Sequence, residues 1–272
     1  MTRRRLPGRA IAGAAMAAAS AGAALLAPLV SGRSPSAVSL KDRFRPPCRE
    51  FLAGADDLGR DVLARSLHGG RVSLLVGLLV VTVSLSTGLL LGATAGFLGG
   101  WADAILMRLV DVLMAFPGIL LAIAMVAVLG PSLPNAVAAL VAIGWVGYAR
   151  LARAQALRIR ELEYVQSCVA LGGSRPRIVL HHVIPNLLGP MVVQASLGVA
   201  GAILAEASLS FLGLSVQPPA ASWGTMLNEG RQYLDAPHLT ILPGLLLMLT
   251  VLAFNFIGDG LRDYLDPRAA RG

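Results

Sequence analysis

The chain has 272 residues, 56% hydrophobic, 14% charged and 5% aromatic, with a net charge of +8. A soluble domain carries about 25% charged residues, so soluble, disordered and coiled-coil classes are excluded and an all-α polytopic membrane protein is expected. The low aromatic content argues against an outer-membrane barrel, which needs aromatic girdles.

A membrane-crossing helix needs about 20 apolar residues. Uncharged intervals run from Arg9 to Arg33, Arg71 to Asp103, Asp111 to Arg150, Arg177 to Glu206 and Asp235 to Asp259. The third is cut by Gly130-Pro131-Ser132-Leu133-Pro134-Asn135, a turn signal. Six helices are therefore predicted, over 10–30, 74–98, 104–129, 135–156, 188–212 and 239–258. The basic start and Ala-rich run of the first segment also have the layout of a secretory signal, although the apolar run is long for one. The expected organisation is an N-terminal anchor with an extracytoplasmic segment over 1–70. A five-helix core follows over 71–272, with a cytoplasmic loop at about 157–187.

Orientation follows from the basic residues. With both termini inside, 14 of the 23 lie inside, from Arg3, Arg4 and Arg5 to Arg268 and Arg271. Of the nine outside, all but Arg231 fall in 31–71. The single Lys, Lys41, has no Gly-rich approach, so the chain has no Walker A loop, whose Lys holds nucleotide phosphates. If its work is driven by ATP, another chain supplies the ATPase.

The loop at 157–187 is built for contact. Glu161 to Leu171 reads as a helix that Gly172-Gly173 ends in a left-handed turn. Ser174 is placed to cap a second helix, with Pro176 in its first turn. That helix runs through Ile178, Val179 and Leu180 to Pro185. Two short helices at an angle form a knob that suits docking of a soluble partner; a plain solvated connector is the competing reading. DNA binding is not expected of a helix-turn-helix pinned between two spans.

Glu206 is the one carboxylate deep in an apolar stretch. A buried charge faces a cavity or a partner, so it is a candidate for the translocation path or for a structural hydrogen bond. Asp111 is a weaker pathway candidate, because Arg108 lies three residues away. His181 and His182 point about 100° apart on a helix, and no metal site is expected. Cys48 and Cys168 fall on opposite sides of the membrane and cannot pair. Gln217 to Leu234 lies outside, where Trp223, Met226, Leu227 and Tyr233 suggest an interfacial helix.

One set of motifs is more specific. EYVQSCVALGGSRPRIVLHHVIPN resembles the coupling loop of ABC-importer permeases, whose pattern is E-A-A-x3-G-x9-I-x-L-P, with Gly172 at the Gly and Pro185 at the Pro. DDLGRDVLARSLHGGRVSLLVG and GFLGGWADAILMRLVDVLMAFPGILLAI precede it, and ILAEASLSFLGLSVQPPAASWGTML and FNFIGDGLRDYLDP follow it. Together they resemble the C-type permease subunit of dipeptide, oligopeptide and nickel importers. The likeness runs from about residue 56 to 267.

The resemblance implies a type I importer permease fold with six transmembrane helices in a bacterial inner membrane. Its partners would be a second, B-type permease, two P-loop ATPase subunits that hold ATP and Mg, and an extracytoplasmic substrate-binding protein. This chain would bind no cofactor and catalyse no reaction. Gln166, Ala170, Leu171, Gly172, Arg175, Arg177 and Pro185 would form the ATPase-coupling surface, and Trp223, Met226 and Tyr233 a landing site for the binding protein. The sequence departs from the pattern at Gln166, Ser167 and Cys168, which replace Glu-Ala-Ala, and at His182, which replaces Ile. Gln loses the charge-assisted strength of Glu, so a retained but weaker coupling contact is expected. A secondary transporter, or a degenerate or structural membrane subunit, is the alternative class.

Overall fold

A computed structural model describes residues 7–265; Arg3, Arg4, Arg5, Arg268 and Arg271 lie outside them. Regular structure among the described residues is helical, apart from one isolated antiparallel bridge between Ala55 and Asp61. The elements are α1 (Gly8–Leu25), α2 (Ala27–Ser31), α3 (Val62–Leu98), α4 (Gly100–Met114), α5 (Gly118–Leu129) and α6 (Leu133–Arg160). They continue with α7 (Glu163–Ala170), α8 (Arg175–Ile178), a π turn (Val179–Val183), α9 (Ile184–Phe211), α10 (Trp223–Gly230) and α11 (His238–Leu265). Five helical runs are long and apolar enough to cross a membrane, and the bent pair α4–α5 makes a sixth if it counts as one span.

Three expected spans change shape. The first stops at Leu25, because Pro28 sits in the first turn of α2 and cannot continue the ladder of α1. The span expected over 104–129 is two helices bent by 87°. The break falls at Pro117, which caps α5; its ring disfavours helical backbone at Phe116, and an uncharged run does not reveal that. The span expected over 74–98 starts twelve residues early, at Val62, where the Asp61 carboxylate accepts from the Ala64 amide. At 37 residues and 1.5 Å per residue, α3 is about 55 Å long. It outruns a hydrocarbon core of about 30 Å.

The bundle is organised on α3, which packs along α6 and α9, while α1 lies on α11 and α11 on α9. The α3–α6 seam is made by Gly88, Gly92 and Gly96, one on each successive turn. A Cβ at Gly88 would stand 2.5 Å from the Trp145 carbonyl, and one at Gly96 would stand 2.7 Å from that of Arg153. Small residues four apart let two backbones touch, which is how membrane helices associate without a hydrophobic drive between them.

The two ends of the bundle differ. At the cap end, residues 39–61 fold over α10 and the start of α11, with Val62, Met226 and Leu239 buried together. Arg71 joins this end to α1 by donating to the Ala24 carbonyl at 2.7 Å and the Leu25 carbonyl at 2.8 Å. At the hairpin end, α7 and α8 project from α6 and α9. The start of α1 lies at this end as well, because Ala10 packs on Gly260 near the end of α11.

Candidate functional site

The hairpin is held from below and bare on top. Val165, Ile178, Val179 and Val183 are at most 3% exposed and anchor it in the core. Gln166, Ala170, Leu171, Gly172, Arg175, Arg177 and Pro185 are all exposed, Leu171 at 88%. Gly172 has φ +79°. Its amide donates to the Val169 carbonyl and the Gly173 amide to the Cys168 carbonyl, both at 3.0 Å, which is a Schellman stop. Ser174 occupies the N-cap position of α8 with extended backbone, but its side chain accepts no capping bond. The expected second short helix is instead the leading end of a helical run from Arg175 to Phe211. The knob is therefore continuous with α9.

Gln166, Ala170 and Arg175 line one hollow of about 540 Å³ together with Phe97, Leu98 and Glu161. Leu171, Gly172, Arg177 and Pro185 do not line it. Gln166 donates to Glu161 at 3.4 Å. Two departures from the family pattern meet here: the Cys168 thiol lies 3.9 Å from Nε2 of His182. His181 faces elsewhere, with Nδ1 3.1 Å from the Arg177 carbonyl, so the two imidazoles share no ligand. Both cysteines are free.

The pathway candidates do not come together. Glu206 is fully buried between α3 and α9, accepting from the hydroxyls of Ser210 at 2.6 Å and Ser73 at 3.1 Å. That matches the structural alternative for this residue, and Glu206 does not line the cavity bordered by α5. Asp111 is exposed on α4 and forms no ion pair with Arg108 among the described residues. A cavity of about 290 Å³ lies instead between α3, α5, α6 and α9, with Ser84, Tyr148 and Gln194 in its wall. Its wall is glycine and aliphatic residues for the most part, with no charged group, so no charge or motif in the sequence marked it.

The landing site also needs correction. Trp223 is 2% exposed and donates from Nε1 to the Ser66 carbonyl at 3.0 Å; Met226 is 4% exposed beside Ser66. Both pack α10 onto the bundle instead of presenting it to the membrane interface. The Ser222–Thr225 capping box fixes the start of α10. Tyr233 alone of the three borders an open groove, with Phe44 and Leu234, where its ring meets Phe44 edge-on at 4.7 Å.

The cap end is tied by a charge network that sequence reading missed. Arg65, 1% exposed, bonds Asp56 at 2.9 Å and Glu229 at 2.8 Å. Arg60 bonds Asp56 at 2.7 Å and reaches Asp57 at 3.5 Å and Glu229 at 3.3 Å. Three carboxylates thus share two guanidinium groups. Burial pushes the Glu229 carboxyl up to about 7; Arg60 pulls it down, and Asp56 and Asp57 push it further up.

Long apolar helices, a helix broken at a proline, an open cavity between helices and one protruding hairpin fit an α-helical membrane transport subunit. Residues 88–271 match the family described as the inner membrane component of binding-protein-dependent transport systems, and the chain belongs to that family. It is 45% identical over 246 residues to a dipeptide transport system permease protein of Alkalihalophilus pseudofirmus, covering 90% of this chain and 81% of the relative. A probable D,D-dipeptide transport system permease protein of Escherichia coli is 43% identical over 246 residues, covering 90% and 83%. A glutathione transport system permease protein of Pectobacterium atrosepticum is 47% identical over 223 residues, covering 82% and 74%. The chain is a permease subunit of an importer of this kind.

Proposed function

We propose that this permease forms half of a translocation pathway for short peptides, paired with an unlike B-type permease. Two P-loop ATPases dock on the hairpin end and hold the ATP and Mg; a substrate-binding protein delivers cargo at the cap end. The chain itself binds no cofactor and has no ATPase site. The relatives named above are described as permeases for dipeptides, D,D-dipeptides and glutathione, which share amide-linked backbones. The observation that carries the reading is the bare, Schellman-stopped hairpin continuous with α9. A soluble motor that moves this hairpin moves α9 with it, and α9 forms one wall of the cavity. Coupling of this sort requires that ATP and the binding protein favour the same state of the bundle.

The hairpin end is assigned to the cytoplasm, with both termini on that side. Arg158, Arg175 and Arg177 lie there, as the positive-inside rule requires. The start of α1 and the end of α11 lie at the same end, where Leu265 approaches Gly189.

The test is affinity purification of the chain from native membranes in mild detergent, with mass spectrometry of the associated proteins. Recovery of a second permease and P-loop ATPases is expected, with the ATPases lost in Gly172→Trp. A Cβ at Gly172 meets no atom within 4 Å, but the positive φ resists any side chain. Recovery of the chain alone across several detergents would refute the assignment.

A further inference from the structure

The cavity between α3, α5, α6 and α9 has a distinctive chemistry. None of its lining residues is charged, and five are glycines. Its polar groups are unused. The Ser84 hydroxyl is buried without a hydrogen-bond partner. Tyr148, 6% exposed, and Gln194 make no hydrogen bond among the described residues, although both line the space. Gln194 is exposed at the rim, but buried polar groups are normally partnered, so the unpartnered Ser84 and Tyr148 at one space mark a place where something else supplies the partner. Tyr148 keeps its position because Gly198 has no side chain: a Cβ there would overlap the phenol oxygen. At Gly147 and Gly201 a Cβ meets nothing within 4 Å, so these helix faces front open space.

We propose that this cavity is a contact site for cargo and that it reads the peptide bond. Tyr148 and Gln194 hydrogen-bond a neutral amide, while the charged termini and the side chains of the peptide go unrecognised here. The inference rests on the peptide-permease reading and deepens it. A phenol and a carboxamide together donate and accept, which matches an amide N–H and C=O. A bound carboxylate or ammonium would find no counter-charge in this wall, and burying an unpaired charge is costly. Beside the glycines the wall is aliphatic, from Val80, Val81, Ile119, Leu140 and Ile143, which offers no polar partner to the ends of a peptide. At about 290 Å³ the space sits at the lower end of small-ligand sites. It suits a short extended segment.

The test uses the assembled importer, purified through this chain and reconstituted in proteoliposomes. Cys48→Ser and Cys168→Ala are introduced first, and ATP-dependent dipeptide uptake is measured in that background. Gly147→Cys or Gly201→Cys is then added and treated with a charged, bilayer-impermeant thiol reagent. Labelling is expected at both positions. Dialanine and its end-blocked form, N-acetyl-dialanine amide, are each expected to slow it, and sodium acetate is not. Tyr148→Phe removes one neutral hydrogen bond and should weaken both protections about two- to tenfold.

Labelling only by a membrane-permeable maleimide would show a lipid-filled groove and overturn the proposal. So would protection by dialanine but not by its end-blocked form, or equal protection in Tyr148→Phe. Uptake with any of these results leaves the importer reading standing while this inference fails. Labelling and amide-selective protection without uptake supports the site and fails the importer reading instead.

Discussion

The Gly88–Gly92–Gly96 seam makes a sharp prediction, because one substitution has opposite consequences at two places. Gly→Ala inside a helix gains up to about 1 kcal/mol of backbone propensity. Gly22, in α1, has nothing within 4 Å of an added Cβ, so Gly22→Ala should gain that amount. At Gly96 the added Cβ stands 2.7 Å from the Arg153 carbonyl and 3.0 Å from the Ala156 Cβ, where ordinary contact begins at 3.4 Å. The shortfall of about 0.7 Å is between two helix backbones, which do not yield as a side-chain tip does. A radial gap of 0.5–1 Å forfeits a quarter to a half of each dispersion contact nearby, and overpacking typically costs about 1–3 kcal/mol. Gly96→Ala should therefore lose up to about 2 kcal/mol net and fall below Gly22→Ala by about 1–3 kcal/mol, and Gly88→Ala, with its Cβ 2.5 Å from the Trp145 carbonyl, should lose at least as much. The assay is the thermal midpoint of the purified full chain in one detergent, with Gly22→Ala measured alongside. Equal or higher stability for Gly96→Ala would refute the close-packing argument.

Other consequences follow from the buried polar groups. Glu206→Leu strands the Ser73 and Ser210 hydroxyls and should lower stability by about 1–3 kcal/mol, whereas Glu206→Gln, which still accepts, should cost less; lost transport at unchanged stability would return Glu206 to the cargo path. Trp223→Phe removes the bond to the Ser66 carbonyl and should cost about 1 kcal/mol, without changing binding-protein-stimulated ATP hydrolysis, because a buried indole does not dock. The Glu229 carboxyl is raised from 4.5 to about 7, so the folded state binds this proton more tightly than the unfolded chain does. Its stabilising effect is present below about 4.5 and is lost as pH rises through about 7. Thermal midpoints measured from pH 5 to 8 should fall through this locus, and Glu229→Gln should flatten that part of the slope; an unchanged slope would assign the titration to another group.

Much of this architecture was legible because charge is excluded from the hydrocarbon core. The uncharged intervals located the apolar parts of α3, α6, α9 and α11, and Gly172-Gly173 located the hairpin turn from the stereochemistry of left-handed backbone. The misses share a cause: they depend on what a residue meets, not on what it is. Arg65 reads as a flanking charge until Asp56 and Glu229 are folded against it. Trp223 and Met226 read equally well as an interfacial stripe or as an internal one, and only the packing of α10 on Ser66 decides. The 87° break at Pro117 sits in a run whose apolarity is uninterrupted. The four-residue spacing of Gly88, Gly92 and Gly96 was a signal available in the sequence. The cavity left none, since its walls are glycines and aliphatic side chains contributed by helices far apart in the chain.

The helical run from Arg175 to Phe211 bears on what kind of motion the hairpin can deliver. Thirty residues separate Arg175 from Ala205, so at 1.5 Å each the run is a lever of about 45 Å, with its load at the cavity wall. The π turn over Val179–Val183 places an extra residue per turn near the driven end, and Pro190 inside α9 removes a ladder bond a little further on, so the shaft has its joints at that end. The rest of the shaft is clamped between α3 and α11, which oppose sliding along its axis more than rocking across it. A push on the hairpin therefore arrives at Ala205 as a tilt, with its fulcrum where α9 crosses α3. The ratio of the arms on either side of that crossing sets how many ångströms of motor closure become ångströms of opening.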